Sequence, residues 1–466
     1  MAGGMLAIIF TFNTLLVNFA LAQYPPEFFR LSGYDKNQDK IYFAIAFSSV
    51  ALFVMGFMYR DLVNGWNYWL LFLGLLSIFA VLYLVFTSYI LTRKRLNPIA
   101  SFGFITKPAF ELLDQSDKDA RRLADMLRKD PTLKPDKAYI ADYQPHILLQ
   151  SRYAQINEFI GYLYDYHDKL VDKKDYSAAL KVLDAIGSLI LRYIDVRKSS
   201  FIMLPSEFLL VPVTDAQQFF DTNFQRMVDR ATAYIRLGNQ NGTRKVLYLF
   251  EGIGLKLREL KFPTPLLRQE NPPFEQCVGY LSNICDAGIA QNDLEATFQV
   301  ARVYAVLGSV GVSMGYVHAQ STTYDNLLKL ALYAAAKKQW VVMDQVAKAF
   351  TAFMQAFKAQ DRAALETEFR IYMDKLGEFY WYYFAISTPS NDYQPNTATY
   401  MVAPLSELRQ WADELARSGS NMRNAGRDSS QHDVIELADQ LWRLLRDLTD
   451  RKNITLANRY VATEFA

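Results

Sequence analysis

The first hundred residues read as three long apolar runs separated by short polar breaks. The rest of the chain reads as amphipathic helices joined by short polar turns. The runs cover 5–22, 41–59 and 66–92, and the third carries no Asp, Glu, Lys or Arg over more than the about 20 residues that span a bilayer core. Trp66, Tyr68 and Trp69 stand at its start and Tyr89 near its end, the depths that amphipathic rings prefer. Arg93, Lys94 and Arg95 come directly after it. Residues 1–95 are therefore expected to form a three-helix transmembrane domain.

Orientation comes from Lys and Arg in the short loops, which are retained on the cytoplasmic side. Arg30, Lys36, Lys40, Arg93, Lys94 and Arg95 fall on one side of the three spans and only Arg60 on the other. The expected protein is multi-pass, with its N-terminus outside and a large C-terminal domain in the cytoplasm. Ala20-Leu21-Ala22 looks like a signal-peptidase site, but no basic side chain precedes the first run and its first charged residue is Glu27, so 1–22 is expected to stay as a span. Asn13 and Asn18 are the intramembrane polar residues singled out in that span. Such amides seek a partner helix, within this chain or in self-association.

Beyond the basic triplet the period becomes helical. Pro108 to Arg128 is an expected charged helix within a juxtamembrane stalk, 96–137, closed by Pro131 and Pro135. A first helical subdomain is expected over 138–262 and a second over 263–387, divided by the Pro-rich stretch from Phe262 to Pro273. Val182, Ile186, Leu189 and Ile190 share one side of a helix whose other side carries Lys181, Asp184 and Ser188. Helices change over at short polar sites: Asp172 to Asp175, Gly238 to Gly242, Gln291 to Asp293, Lys337 to Gln339, and Gln360-Asp361. Short turns force antiparallel neighbours. The expected fold is all-α, a solenoid-like set of helical hairpins that resembles tetratricopeptide-type packing in general shape, without a fixed period. Thr214 to Gln217 fits a capping box, with a helix beginning at Asp215. Phe201 to Val213 is apolar but carries Pro205 and Pro212, and is expected to be a buried crossover loop. Polar loops and a C-terminal amphipathic helix fill 388–466.

Composition narrows the function. With 50 basic and 48 acidic residues there is no global field to attract nucleic acid. Cys277 and Cys285, eight apart on one expected helix, lie roughly 12 Å from each other at 1.5 Å per residue, too far for a disulfide. His146, His167, His318 and His432 stand in no metal-ligand spacing. Asp165 to Asp168 reads as a solvated helix face. Gly308 to Gly315 lacks the Gly-Lys-Ser/Thr ending of a phosphate loop and, like Gly252-Ile253-Gly254, reads as a helix break or close-packing site. No catalytic residue, metal site or cofactor is expected.

Two features point to contacts. A helix with the inner stripe Leu365, Phe369, Tyr372, Leu376, Phe379 and Tyr383 leaves Tyr380, Trp381 and Tyr382 for a second layer, a membrane surface or a partner. In the C-terminal helix Leu437, Leu441 and Leu444, flanked by Val434 and Leu448, keep a heptad pattern suited to docking or partner contact. The resulting expectation is a membrane-anchored cytoplasmic helical scaffold or interaction subunit, not an enzyme, whose partners are other proteins and the lipid bilayer. A membrane effector or channel subunit with a helical sensor domain is the alternative.

The topology is testable. A reporter fused after Arg95 should behave as cytoplasmic and one placed between Arg60 and Gly65 as external. Glycosylation of Asn241 or Asn453 in a eukaryotic host would reverse the assignment.

Overall fold

The structure is a computed structural model that describes residues 103–129, 139–197, 200, 202–206, 209–212, 214–260, 271–358 and 366–387, together with Leu76, Phe79 and Tyr83. Apart from those three residues, the expected spans lie outside the described residues. Leu76, Phe79 and Tyr83 are helical and each is more than half exposed. Among the described residues no helix is long and apolar enough to cross a membrane. The chain divides into two compact units, Met1–Val196 and Arg197–Ala466.

In the first unit the described helices are α1 (Gly103–Arg128), α2 (Tyr139–Leu148), α3 (Gln150–Asp172) and α4 (Tyr176–Arg197). The expected stalk helix, α1, begins five residues earlier than Pro108 and packs on α2 and α3. Its buried stripe is Ile105, Ala109, Leu113, Ser116, Ala120 and Ala124, spaced three or four apart as one helix face requires. Pro108 cannot donate to the carbonyl four residues back, but the burial of that stripe holds the helix through it. Ion pairs add register: Arg192 reaches Asp114 at 2.8 Å and Asp117 at 3.4 Å, and Arg152 reaches Asp119 at 2.6 Å. In α4 the expected faces are found, with Val182, Ile186, Leu189 and Ile190 buried and Lys181, Asp184 and Ser188 exposed.

Among the described residues the fold is all-α, as expected, with one short hairpin at the opening of the second unit. Within the stretch expected to be a crossover loop, the described residues form an antiparallel hairpin, β1 (Ile202–Ser206) and β2 (Leu209–Pro212). Ile202 pairs with Pro212, Met203 with Val211 and Ser206 with Leu209, and the irregularity between Met203 and Ser206 contains Pro205. Proline, which has no N–H to give to a ladder, is tolerated there because both strands of a two-stranded hairpin are edges.

Helices then run without interruption by strands: α5 (Thr214–Arg236), α6 (Gln240–Leu257), α7 (Pro272–Ala290), α8 (Leu294–Met314), α9 (Val317–Lys337), α10 (Trp340–Lys358) and α11 (Glu366–Ser387). α5 starts at Thr214, one residue ahead of the capping-box expectation. Each helix from α5 to α11 packs on the next and on the next but one. α6 and α7, which flank the Pro-rich 262–273 stretch, pack on each other within the second unit.

One turn closes the hairpins. Gly238, Asn292 and Lys338 each take a left-handed conformation, with φ of 64°, 51° and 54°. The next residue's N–H returns to the helix just ended: Asn239 to Tyr234 O, Asp293 to Gly288 O and Gln339 to Ala334 O, at 2.8–2.9 Å. This is the Schellman closure. Asn239 and Asp293 also start the following helix, their side chains accepting from Gly242 N–H and Ala296 N–H at 3.0 Å. The α3–α4 turn repeats the device at Lys174 and Asp175, and the α8–α9 turn has its left-handed residue at Gly315. Four of the five expected changeover sites are thus turns. Gln360-Asp361 lies outside the described residues.

Close approach is set by small residues. A Cβ on Gly308 would stand 2.5 Å from Phe353 of α10 and 2.8 Å from Thr323 of α9, and one on Gly254 would stand 2.7 Å from Leu307. The expected close-packing role of both glycine groups is what the helices show. Gly279, mid-helix in α7, has open space where its Cβ would be. Gly308→Ala should therefore lower stability by about 1–3 kcal/mol through overpacking, whereas Gly279→Ala should raise it by about 0.4–1 kcal/mol by restricting the unfolded chain. Denaturant midpoints of the two variants of the full chain in detergent should move in opposite directions.

Candidate interaction surface

The short turns place chemistry at defined ends of the stack. Arg244 pairs with Glu295 and Arg302 with Glu251, both at 2.5 Å and both 51 residues apart, so α6 and α8 run parallel with their starts level. On the α5–α7 side Gln276 and Tyr280 both reach Asp221. Asp286 pairs with Lys329 between α7 and α9. These ties put the α5–α6, α7–α8 and α9–α10 turns at the same end of the stack.

That end is apolar and basic. Leu237 sits in the first turn, Leu294 at the start of α8 and Val341 near the start of α10, with exposures of 56%, 45% and 55%. Arg236, Lys337 and Lys338 stand beside them, exposed, and in no ion pair among the described residues. The acidic groups nearby are engaged: Asp293 caps α8, Glu295 is held by Arg244, and Asp344 pairs with Lys348 at 2.6 Å. Burial pushes the Glu295 carboxyl up, but hydrogen bonds from Arg244 and Gln299 outweigh it and hold it below the usual carboxylate value. Nothing in the expected contact set included this end. Its signal in the sequence was an apolar residue standing one or two positions from the cap inside an otherwise polar turn.

The two long faces of the stack carry such ties. Arg302 also lies over the Tyr248 ring, 4.6 Å from its centroid, so α6 and α8 share a ladder of guanidinium, ring and carboxylate. Between α9 and α11, Lys375 reaches Asp325 at 2.7 Å and Gln320 reaches Glu368 at 3.2 Å.

The described residues of the aromatic run are internal. Phe369, Tyr372, Leu376 and Phe379 are buried, as the inner stripe predicts. Phe350 of α10 stacks on Phe379 at 5.2 Å, Phe357 meets Tyr372 at 5.2 Å, and the Tyr372 hydroxyl donates to Phe350 O at 2.9 Å. Tyr382 is buried as well, its hydroxyl donating to Glu378 Oε1 at 2.6 Å one turn back. Tyr380 and Trp381 belong to α11, but their side chains lie outside the described residues, as do Leu365 and the side chain of Tyr383. Leu437, Leu441 and Leu444, Arg93, Lys94 and Arg95, and Asn13 and Asn18 are also outside them.

Titratable groups are placed for packing. Cys277 and Cys285 are free and fully buried in α7, Cys277 donating to Phe250 O at 3.7 Å. Burial drives both thiols far above their ordinary range, with the Asp286 carboxylate adding to the effect at Cys285. The Asp165 to Asp168 stretch is not a uniformly solvated face: Tyr166 and His167 are buried, Asp165 and Asp168 exposed, and His167 Nδ1 lies 2.9 Å from Asp168 Oδ1. His146 is buried with Nδ1 2.6 Å from the Tyr153 hydroxyl. Among the described residues no group of His, Cys, Asp and Glu could hold a metal ion.

Comparison with protein-family models, curated proteins and solved structures returns no match.

The thiols provide a test of the packing around α7. Cys277 and Cys285 should resist an aqueous disulfide reagent in the folded chain and both react once denaturant opens α7. Rapid labelling of either in the native protein would show that the α5–α7–α8 core is more open than its burial implies.

Proposed function

We infer that the chain is a membrane-anchored helical scaffold, held by its N-terminal apolar runs and offering the hairpin stack to partner proteins. The observation that carries this reading is the repetition in α5–α11, where every helix packs on the next and the next but one. Stacks of this kind build long surfaces out of equivalent positions on successive hairpins, which is how repeat proteins hold partners. The exposed helical residues Leu76, Phe79 and Tyr83 support the anchor, since residues three and four apart fall on one helix side and apolar side chains there suit lipid. Tyr380 and Trp381, on the helix that ends the described stack, are the aromatic candidates for the partner contact. Tyr382 contributes to the fold of its own helix instead.

Membranes carrying the protein should retain it through alkaline carbonate extraction, and crosslinking in those membranes should capture partners that a Trp381→Ala variant loses. The same variant should barely move the thermal midpoint. A midpoint falling as a buried-aromatic truncation requires, by about 3–5 kcal/mol, with capture unchanged, would assign the ring to the core and remove it from the contact.

A further inference from the structure

The end of the stack formed by the α5–α6, α7–α8 and α9–α10 turns has a composition that neither the fold nor the scaffold reading uses. Its apolar side chains are single and evenly distributed, one per hairpin, on neighbouring elements about 10 Å apart. Leu237 stands in a turn, and Leu294 and Val341 stand in the first turns of α8 and α10, next to the changeovers. A protein partner is normally gripped through a compact central cluster. Isolated apolar points ringed by cations instead suit a soft, laterally continuous surface of negative charge. The charge balance agrees: Arg236, Lys337 and Lys338 are exposed beside Leu237 and Val341, whereas Asp293 caps α8, Glu295 is held by Arg244 and Asp344 pairs with Lys348 through Oδ2. The Tyr333 hydroxyl donates to Asn292 Oδ1 at 2.5 Å and accepts from the Gln339 amide N–H at 3.1 Å.

We propose that this end of the stack docks on an anionic lipid surface, with Leu237, Leu294 and Val341 entering the headgroup layer and Arg236, Lys337 and Lys338 meeting lipid phosphates. Basic side chains near such a surface and apolar side chains in its interfacial zone reinforce one another. The inference deepens the membrane-anchored reading, on which it rests for the nearness of a bilayer. It adds that the stack lies end-on against that bilayer, leaving its long faces for partners.

A single introduced thiol tests it, because Cys277 and Cys285 are buried and will not take the label. Gln291, exposed in the α7–α8 turn, is changed to Cys and labelled with a polarity-sensitive fluorophore. Ser313, exposed at the opposite end of α8, serves as the control position. The full-length protein is placed in vesicles of phosphatidylcholine alone and of phosphatidylcholine with phosphatidylserine. The Gln291→Cys label should shift to the blue only with phosphatidylserine, the Ser313→Cys label should not shift, and the shift should vanish in Arg236→Gln, Lys337→Gln, Lys338→Asn. Asn is used at 338 because it accepts the left-handed backbone there. Identical spectra in both lipids, an equal shift at Ser313→Cys, a shift that survives the charge variant, or one that needs other membrane proteins would each overturn the proposal. Carbonate extraction separates the two readings. A retained chain with a silent Gln291→Cys label removes only the docking. An extractable chain whose label still shifts on added phosphatidylserine vesicles removes only the anchor.

Discussion

A helix leaves four carbonyls unpaired at its end and the next helix leaves four amides unpaired at its start, and a chain that reverses direction within three residues must satisfy both ends at once. Here the left-handed residue and the cap after it do so together. At Gly238-Asn239 and Asn292-Asp293 the same residue sends its N–H back to the finished helix and its side chain forward to the new one. The antiparallel order of α5 to α10, the alignment of alternate helices and the gathering of turns at one end depend on this fused closure. Lys338, left-handed without glycine's freedom, shows that the stack tolerates some strain to keep the turn.

Given that alignment, the polar ties sort by face. Arg244 with Glu295 and Arg302 with Glu251 join α6 to α8, while Lys329 with Asp286 and Lys375 with Asp325 join α7, α9 and α11. Exposed pairs of this kind add little stability singly. Their effect is on register, since a helix shifted by one turn would break its ties on one side and meet like charges on the other. The core supplies the energy. Phe350, Phe357, Tyr372 and Phe379 form a continuous ring cluster across α10 and α11, and Gly308 lets α8 approach them.

Much of this was legible in the residue order. The inner stripes of α4 and α11 come from spacing, because a 3.6-residue period repeats itself over several turns and averages out local exceptions. The turns were legible because few residue types accept a left-handed backbone or cap a helix. Residues 201–213 were not, since Pro205 and Pro212 rule out a helix but do not distinguish a loop from an edge ladder. The extent of α1 was missed because a proline at 108 normally marks a beginning, and only burial of Ile105 and Ala109 carries the helix across it. Tyr382 was left for a second layer, a membrane surface or a partner because it lies one position from Tyr383 of the expected stripe, an offset of about 100° that periodicity alone resolves poorly over two turns. Proline content over 262–273 marks a break in the backbone and carries no information on whether the flanking helices touch, which α6 and α7 do.

In α5–α11 the substantial described contacts join each helix to the next and the next but one. Such a pattern has low contact order, so ordering one hairpin requires little loop closure and each new hairpin adds to a surface already formed. Growth of the fold can then keep pace with emergence of the chain from the ribosome, hairpin after hairpin, without waiting for distant segments. On the membrane-anchored reading proposed above, that order of events would keep unfinished core surface away from lipid during synthesis.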